Sequence, residues 1–225
     1  WPSRVARRAW STPRHRYRQT VPPDRDSYRH GDLRKAVLRE ATTLIESEGP
    51  SAVSMRAVAR RAGVTHAAPY HHFPDKASLL RAVADEGFVA LAAAMNQAVA
   101  AASDPLAELA ASGMAYVEFG LANPGLFRLM FRPELTGLGE GEVPATYTAS
   151  WDTLVAVIER CQAAGHSRTA DPATLATLCW STVHGVTTLW LDRPLQPARA
   201  ADPGEDARVG REVAERVVQL LNDLI

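Results

Sequence analysis

Residues 65–72 read Thr-His-Ala-Ala-Pro-Tyr-His-His, a run of hydrogen-bonding side chains around two alanines. Such a run suits contact with base edges. A histidine such as His66 or His71 can donate to or accept from a base, and a small residue such as Ala67 lets the backbone approach while its methyl packs on a thymine methyl. The hydroxyls of Ser54, Thr65 and Tyr70, with the charges of Arg56 and Lys76, suit phosphate oxygens, which fix register without reading sequence. The expected contacts to double-stranded DNA are therefore Ser54, Arg56, Thr65, His66, Ala67, Tyr70, His71 and Lys76. His66, His71 and His72 also raise the question of a metal. On a helix, however, positions 66 and 71 lie about 500° apart and do not share a face as an i, i+4 ligand pair would, so no metal site is expected.

A second constellation lies in the C-terminal two thirds, which are rich in aromatic and soft side chains: Met114, Tyr116, Phe119, Phe127, Met130, Phe131, Tyr147, Trp151, Trp180 and Trp190. Within a helical bundle such residues fill a core, and they are also how a pocket for a small apolar molecule is lined. Trp180 and His184 are four apart and share a helical face, with Gly185 beside them to permit close helix approach. For a small apolar effector the expected lining is Phe119, Phe127, Met130, Trp151, Trp180 and His184; the competing role for His184 is a satisfied core or interface histidine. Catalytic motifs are missing: there is no Walker loop, no H-E-x-x-H, no G-x-S-x-G and no dinucleotide fingerprint. The Gly-rich stretch 137–142 follows a helix and lacks a phosphate-binding lysine, and Cys161 with His166 reads as structural. Neither catalytic residues nor a cofactor is expected.

Both constellations need helices to position them. Leu33, Ala36, Val37, Ala41, Leu44 and Ile45 recur at three and four, so a helix is predicted from an Asp32 N-cap to the stop at Gly49-Pro50. Ser54 caps a second short helix that runs to Arg61. Gly63 makes the turn, and Thr65 caps a third helix that ends before Phe73-Pro74. Asp75 caps a long fourth helix over 76–102, and further helices are predicted over 105–122, 123–131, 144–164, 172–191 and 205–224. On the last of these Val209, Val213, Val217, Leu220 and Leu221 are expected to share one apolar face, while 133–143, with three glycines, reads as a loop. No stretch alternates with period two, so the fold class is all-α with about nine helices: an N-terminal three-helix helix-turn-helix domain followed by a helical bundle. In a helix-turn-helix the second helix of the motif enters the major groove.

Charge is distributed unevenly. Residues 1–31 carry eight arginines against Asp24 and Asp26, a surplus of six, whereas the 225-residue chain as a whole is neutral. Pro13, Pro22 and Pro23, with scattered arginines and no sustained period, make 1–27 an expected disordered basic arm, either a solvated tail or an arm along a DNA backbone. The division is then 1–27 arm, 28–75 DNA-binding domain and 76–225 ligand-binding and dimerisation domain. Two cysteines without C-x-x-C spacing suit a reduced cytoplasmic setting, and no run of eighteen apolar residues suggests a membrane span.

The order of residues in this region resembles a known family. AVARRAGV, the Thr after Val64, and Tyr70, Phe73, Lys76 and Leu79-Leu80 in a Y-x-x-F-x-x-K-x-x-L-L order make residues 33–88 similar to the DNA-binding domain of the tetracycline-repressor (TetR) family of bacterial regulators. NPGLFRLMF at 123–131 and Trp-x3-His-Gly at 180–185 resemble a subgroup of that family. The resemblance implies a homodimeric, ligand-responsive repressor in which the segments 172–191 and 205–224 pair with their mates and the helix from Lys76 couples pocket to head. It departs at Pro69, where the family more often has a small or β-branched residue. A different class of function, a helical small-molecule-binding protein or enzyme with a non-functional DNA-binding head, is the alternative.

Overall fold

The computed structural model describes residues 30–137, 139, 145–166, 170–192 and 203–224, and the proposed arm 1–27 lies outside them. Every described element is helical: α1 His30–Glu48, α2 Met55–Arg61, α3 Lys76–Ala101, α4 Pro105–Ala122, α5 Pro124–Met130, α6 Pro133–Thr136, α7 Ala145–Ala163, α8 Pro172–Leu191 and α9 Pro203–Leu224. Two 3-10 turns, Pro50–Ala52 and Ala68–His71, complete the N-terminal part.

Helix starts follow local chemistry. The Ser54 hydroxyl accepts from Ala57 N at 3.1 Å. Asp75 accepts from Ser78 N at 2.7 Å while Ser78 Oγ accepts from Asp75 N at 3.2 Å, a reciprocal pair that satisfies amides lacking an intrahelical partner. Asp104 and Asp171 cap α4 and α8 without that reciprocity, accepting from Ala107 N and Thr174 N, each at 2.9 Å, and each is followed by a proline whose missing amide costs nothing there. Asp32, expected as the N-cap of the first helix, instead lies in the first turn of α1, which begins two residues earlier.

Three further differences have physical causes. The third helix expected over 65–72 is a turn followed by the 3-10 segment Ala68–His71, and the residue before that segment is Ala67, with no side-chain cap; Thr65 does not cap it. Pro69 explains this. Having no N–H, it cannot donate to Thr65 O as an α-helix requires, and Ala68 N takes that carbonyl at 3.0 Å in the tighter i→i+3 pattern. The loop expected over 133–143 begins with a helix, α6, because Pro133 is a good first residue and Arg81 of α3 donates to the exposed carbonyls of Thr136, at 3.0 Å, and Gly137. On α9 the apolar residues divide into two strips 100° apart: Ala214, Val218 and Leu221 are buried with Gly210, whereas Val209, Val213 and Val217 are half-buried and Leu220 is 63% exposed.

One apolar core runs from head to bundle. Val37, Leu38, Ile45, Val58 and Phe73 of the head join Leu79, Leu80 and Val83 at the start of α3, and that helix continues through Phe88, Leu91 and Met95 into contact with α4 and α7. Beneath the head, Val58, Phe73, Leu79 and Leu80 are buried, and Ala62 and Val64 are half-buried. Because α3 spans both regions, the head is continuous with the bundle.

Candidate DNA-binding head and effector cavity

Gly63, at φ +71°, allows the chain to reverse after α2 at low cost, and Val64 N closes the turn on Ala59 O at 3.0 Å. The following segment turns Pro69 inward, buried, and leaves Thr65, His66, Ala67, Tyr70 and His71 in solvent, Tyr70 at 52% exposure. Ser54 and Arg56 at the start of α2 are exposed as well, and Lys76, half-buried, donates from Nζ to Ser51 O at 3.4 Å. An exposed aromatic ring costs apolar surface in water, and Tyr70 takes no part in the core beneath it. Arg34 covers Phe73, 5.5 Å from its ring centre, so that the core below the segment is closed by a cation.

The second region is an apolar cavity of about 50 Å3 between α3, α4, α7, α8 and α9, walled by Phe88, Met95, Tyr116, Phe131, Tyr147, Trp151, Leu154, Trp180 and Val183. Among the described residues no Asp, Glu, Lys, Arg or His lines it. Its hydroxyls are mostly engaged: Ser112 donates to Leu109 O at 2.8 Å and Ser150 to Tyr147 O at 3.3 Å. Trp180 Nε1 donates to Tyr116 Oη at 3.2 Å, and Tyr116 Oη lies 2.8 Å from His184 Nδ1. With the imidazole proton on Nε2, facing Thr188 Oγ1 at 3.4 Å, the Tyr116 hydroxyl donates to Nδ1. Burial holds His184 below its ordinary pKa and so favours this neutral form, and it pushes Tyr116 up so that its proton stays on.

A more polar cavity of about 140 Å3 lies behind Phe131, which lines both. Phe127, Arg128, Arg132, His184, Thr188 and Asp192 form its other walls, with Arg128 bonded to Asp192 Oδ1 at 3.1 Å and to the Leu191 carbonyl. Of the six residues expected to surround an effector, Trp151 and Trp180 line the apolar cavity and Phe127 and His184 the polar one. Phe119 and Met130 line neither: Phe119 is half-buried against the core and Met130 is buried beside Gly87 of α3.

Sequence reasoning missed how the two regions are joined. Glu46, near the end of α1, accepts from Gly125 N at 3.0 Å and Leu126 N at 2.8 Å, the free amides at the start of α5. The backbones meet so closely that a Cβ on Gly125 would lie 2.6 Å from Ile45 O. These partners are 79 and 80 residues apart, and only the Asn-Pro-Gly before α5 hinted at a special helix start. Tyr147, in the cavity wall, was similarly indistinguishable from a core aromatic. Among the described residues no three His, Cys, Asp or Glu are placed to hold a metal ion.

With helix-turn-helix head and bundle in place, the class is that of a helical regulator, and comparison with known proteins agrees. Residues 37–83 match the profile of bacterial regulatory proteins of the tetR family, and residues 109–221 match the tetracyclin repressor-like C-terminal domain. The chain belongs to the TetR family, whose members are DNA-binding transcriptional regulators that act as dimers. A solved protein of unknown function from Rhodococcus sp. RHA1 is 34% identical, with a TM-score of 0.66, over 85% of this chain and 97% of that one. The fatty acid degradation regulator FadR from Bacillus halodurans has the same fold, TM-score 0.69 at 17% identity, over 86% of this chain and 96% of its own. The nucleoid occlusion factor SlmA from Marinomonas sp. is 28% identical over 111 residues, 49% of this chain. SlmA from Vibrio vulnificus is 31% identical over 98 residues, 43% of this chain. The chain spans about half the length of these curated relatives, 56% and 50%.

Proposed function

We propose that the chain is a ligand-responsive homodimeric repressor of the cytoplasm that binds double-stranded DNA through its N-terminal head. The observation that carries this is the exposed set Ser54, Arg56, Thr65, His66, Ala67, Tyr70 and His71, held outward by a buried Pro69 with Lys76 beside it. Tyr70, Arg56 and Lys76 supply phosphate contacts, and His66, Ala67 and His71 meet base edges. A small apolar effector occupies the aromatic cavity, where Trp151 and Trp180 already stand, and Phe127 and His184 support its wall from behind. Phe119 and Met130 contribute packing.

The dimer forms through α8 and α9. Leu178, Gly185 and Leu189 lie on one strip of α8, the two leucines 49% and 45% exposed, and a Cβ on Gly185 would meet nothing within 4 Å. Gly185 permits close approach of a helix, and no other helix among the described residues comes within 4 Å of where its Cβ would stand. A second copy supplies one, with exposed Leu220 on the adjacent α9 closing the same apolar face. The effector acts by binding one head spacing better than the other, since its differential affinity is all it can contribute. No helix among the described residues is long and apolar enough to cross a membrane.

The test is fluorescence anisotropy of labelled DNA from the protein's own promoter, across a salt series, with wild type, Tyr70→Ala and Lys76→Ala. Binding should weaken with salt, and both variants should lose affinity, Lys76→Ala with a shallower salt slope. Equal binding by all three would favour a helical small-molecule-binding protein or enzyme whose head does not function.

A further inference from the structure

We propose that the effector is a small uncharged carbonyl compound with an aromatic or compact apolar body, its oxygen accepting a hydrogen bond from the Tyr147 hydroxyl. The proposal rests on the ligand-responsive reading above and specifies the chemistry of that same cavity.

Three observations carry it. First, among the described residues no ionisable acid or base other than tyrosine and cysteine lines the cavity, so a carboxylate or ammonium placed there would lose its water without gaining a counter-ion. The nearest cations, Arg128 and Arg132, belong to the polar cavity on the far side of Phe131, where Arg128 is already bonded to Asp192 and Arg132 lies 3.6 Å from Glu134.

Second, most of the cavity's polar groups are committed within the protein; among the described residues the Tyr147 hydroxyl, the Trp151 indole N–H and the Cys179 thiol are the exceptions, and the hydroxyl is the strongest donor of the three. Ser112 and Ser150 donate to backbone carbonyls, Trp180 donates to Tyr116, and Tyr116 is bonded to His184. The Tyr147 hydroxyl has no hydrogen-bond partner among the described residues. Burial pushes its pKa up, so at neutral pH it keeps its proton and can donate to a bound acceptor. A carbonyl oxygen meets that need without bringing a charge.

Third, the walls near Tyr147 are ring edges and faces set almost at right angles. Tyr147 and Trp180 are tilted by 88° with centres 6.4 Å apart, and Trp151 and Trp180 by 84° at 6.3 Å. A flat ring placed against them meets both an edge and a face, the arrangement aromatic pairs favour. The free space of about 50 Å3 is smaller than the roughly 150 Å3 that holds a benzene ring, so such a ligand enters as the lining moves aside, with Met95 its most adaptable part.

Three near-isosteric probes test this on the full chain by isothermal titration calorimetry: acetophenone, ethylbenzene and benzoate. We expect acetophenone to bind wild type about three- to tenfold more tightly than ethylbenzene, the effect of one neutral hydrogen bond, and benzoate to give no heat of binding. Tyr147→Phe should erase the preference for acetophenone while leaving ethylbenzene affinity unchanged, which also shows that the variant keeps its cavity. Benzoate binding as tightly as acetophenone, an acetophenone preference that survives Tyr147→Phe, or no binding by any probe would overturn the proposal. Failure of the regulator reading is read separately, as loss of promoter binding by the probe-free protein.

Discussion

At Gly125 a single hydrogen atom in place of a side chain determines how the head meets the bundle. A methyl there would sit 2.6 Å from Ile45 O and 3.0 Å from Glu46 Cα, backbone atoms that cannot rotate away. Gly125→Ala should therefore destabilise the fold by about 1–3 kcal/mol, the range for forced overpacking, seen as a lower midpoint in urea. Glu46→Ala removes a carboxylate that accepts two amides; because Glu46 is exposed, its cost should be smaller, about 1 kcal/mol. If both variants unfold at the wild-type midpoint, the contact between α1 and α5 contributes nothing to stability. Neither residue announced itself in the sequence, because a glycine beside a proline reads first as a helix boundary and an exposed glutamate as solubility. The residues proposed to face DNA stood out for the opposite reason. Polar and aromatic side chains crowded into one short segment are hard to bury, and the fold leaves most of them in water.

Among the elements, long helices were the most readable. Capping Ser54 and Asp75 marked the starts of α2 and α3, and the predicted starts at 105 and 172 are those of α4 and α8. The segment around Pro69 was not readable in that way. Its residues have helical preferences, but a missing amide redirects the local hydrogen bonding, and the 3-10 turn that results aims His66, Tyr70 and His71 differently from an α-helix. Restoring the amide with Pro69→Ala should let residue 69 donate to Thr65 O, raise helicity by far-ultraviolet circular dichroism and weaken promoter binding as the exposed side chains rotate. Unchanged affinity would mean that the turn's geometry is not what DNA reads. The α3 cap makes a separate prediction about pH. Donation from the Ser78 backbone and then its hydroxyl holds Asp75 below its ordinary value of 3.8, so the carboxylate stabilises the fold at neutral pH and that stabilisation is lost as the pH falls through the lowered pKa. The gap in melting temperature between wild type and Asp75→Ala should thus be widest near neutrality and narrow in acid; a gap that persists to about pH 2 would contradict it.

On the scale of the whole molecule, an all-α chain of head and bundle was evident from periodicity, whereas the separation of its two cavities was not. Which aromatics fill and which merely surround a space depends on contacts such as Tyr116 with His184, 68 residues apart. The same holds for α9, where period alone grouped Leu220 with Leu221 although one faces solvent and the other the core. That exposed side makes the final prediction: Leu178→Glu with Leu220→Glu should leave circular dichroism unchanged and give a monomer by light scattering, with promoter affinity falling as the second head is lost.

The seven residues of α5 extend about 10 Å, too short for a helix to bend appreciably. One end is pinned to α1 by Glu46, and the other carries into Phe131, the partition between two cavities, while Arg128 ties its middle to the end of α8. Such a strut has no slack. On the proposed ligand-responsive reading, a shift of an ångström at the partition would appear as a comparable shift at the head or break one of those ties, which would make α5 a stiff pushrod alongside α3. On the same reading, the ring contacts of Tyr116 with Phe127 and of Tyr147 with Phe131 make α4 and α7 the surfaces through which a change of cavity contents would load that strut.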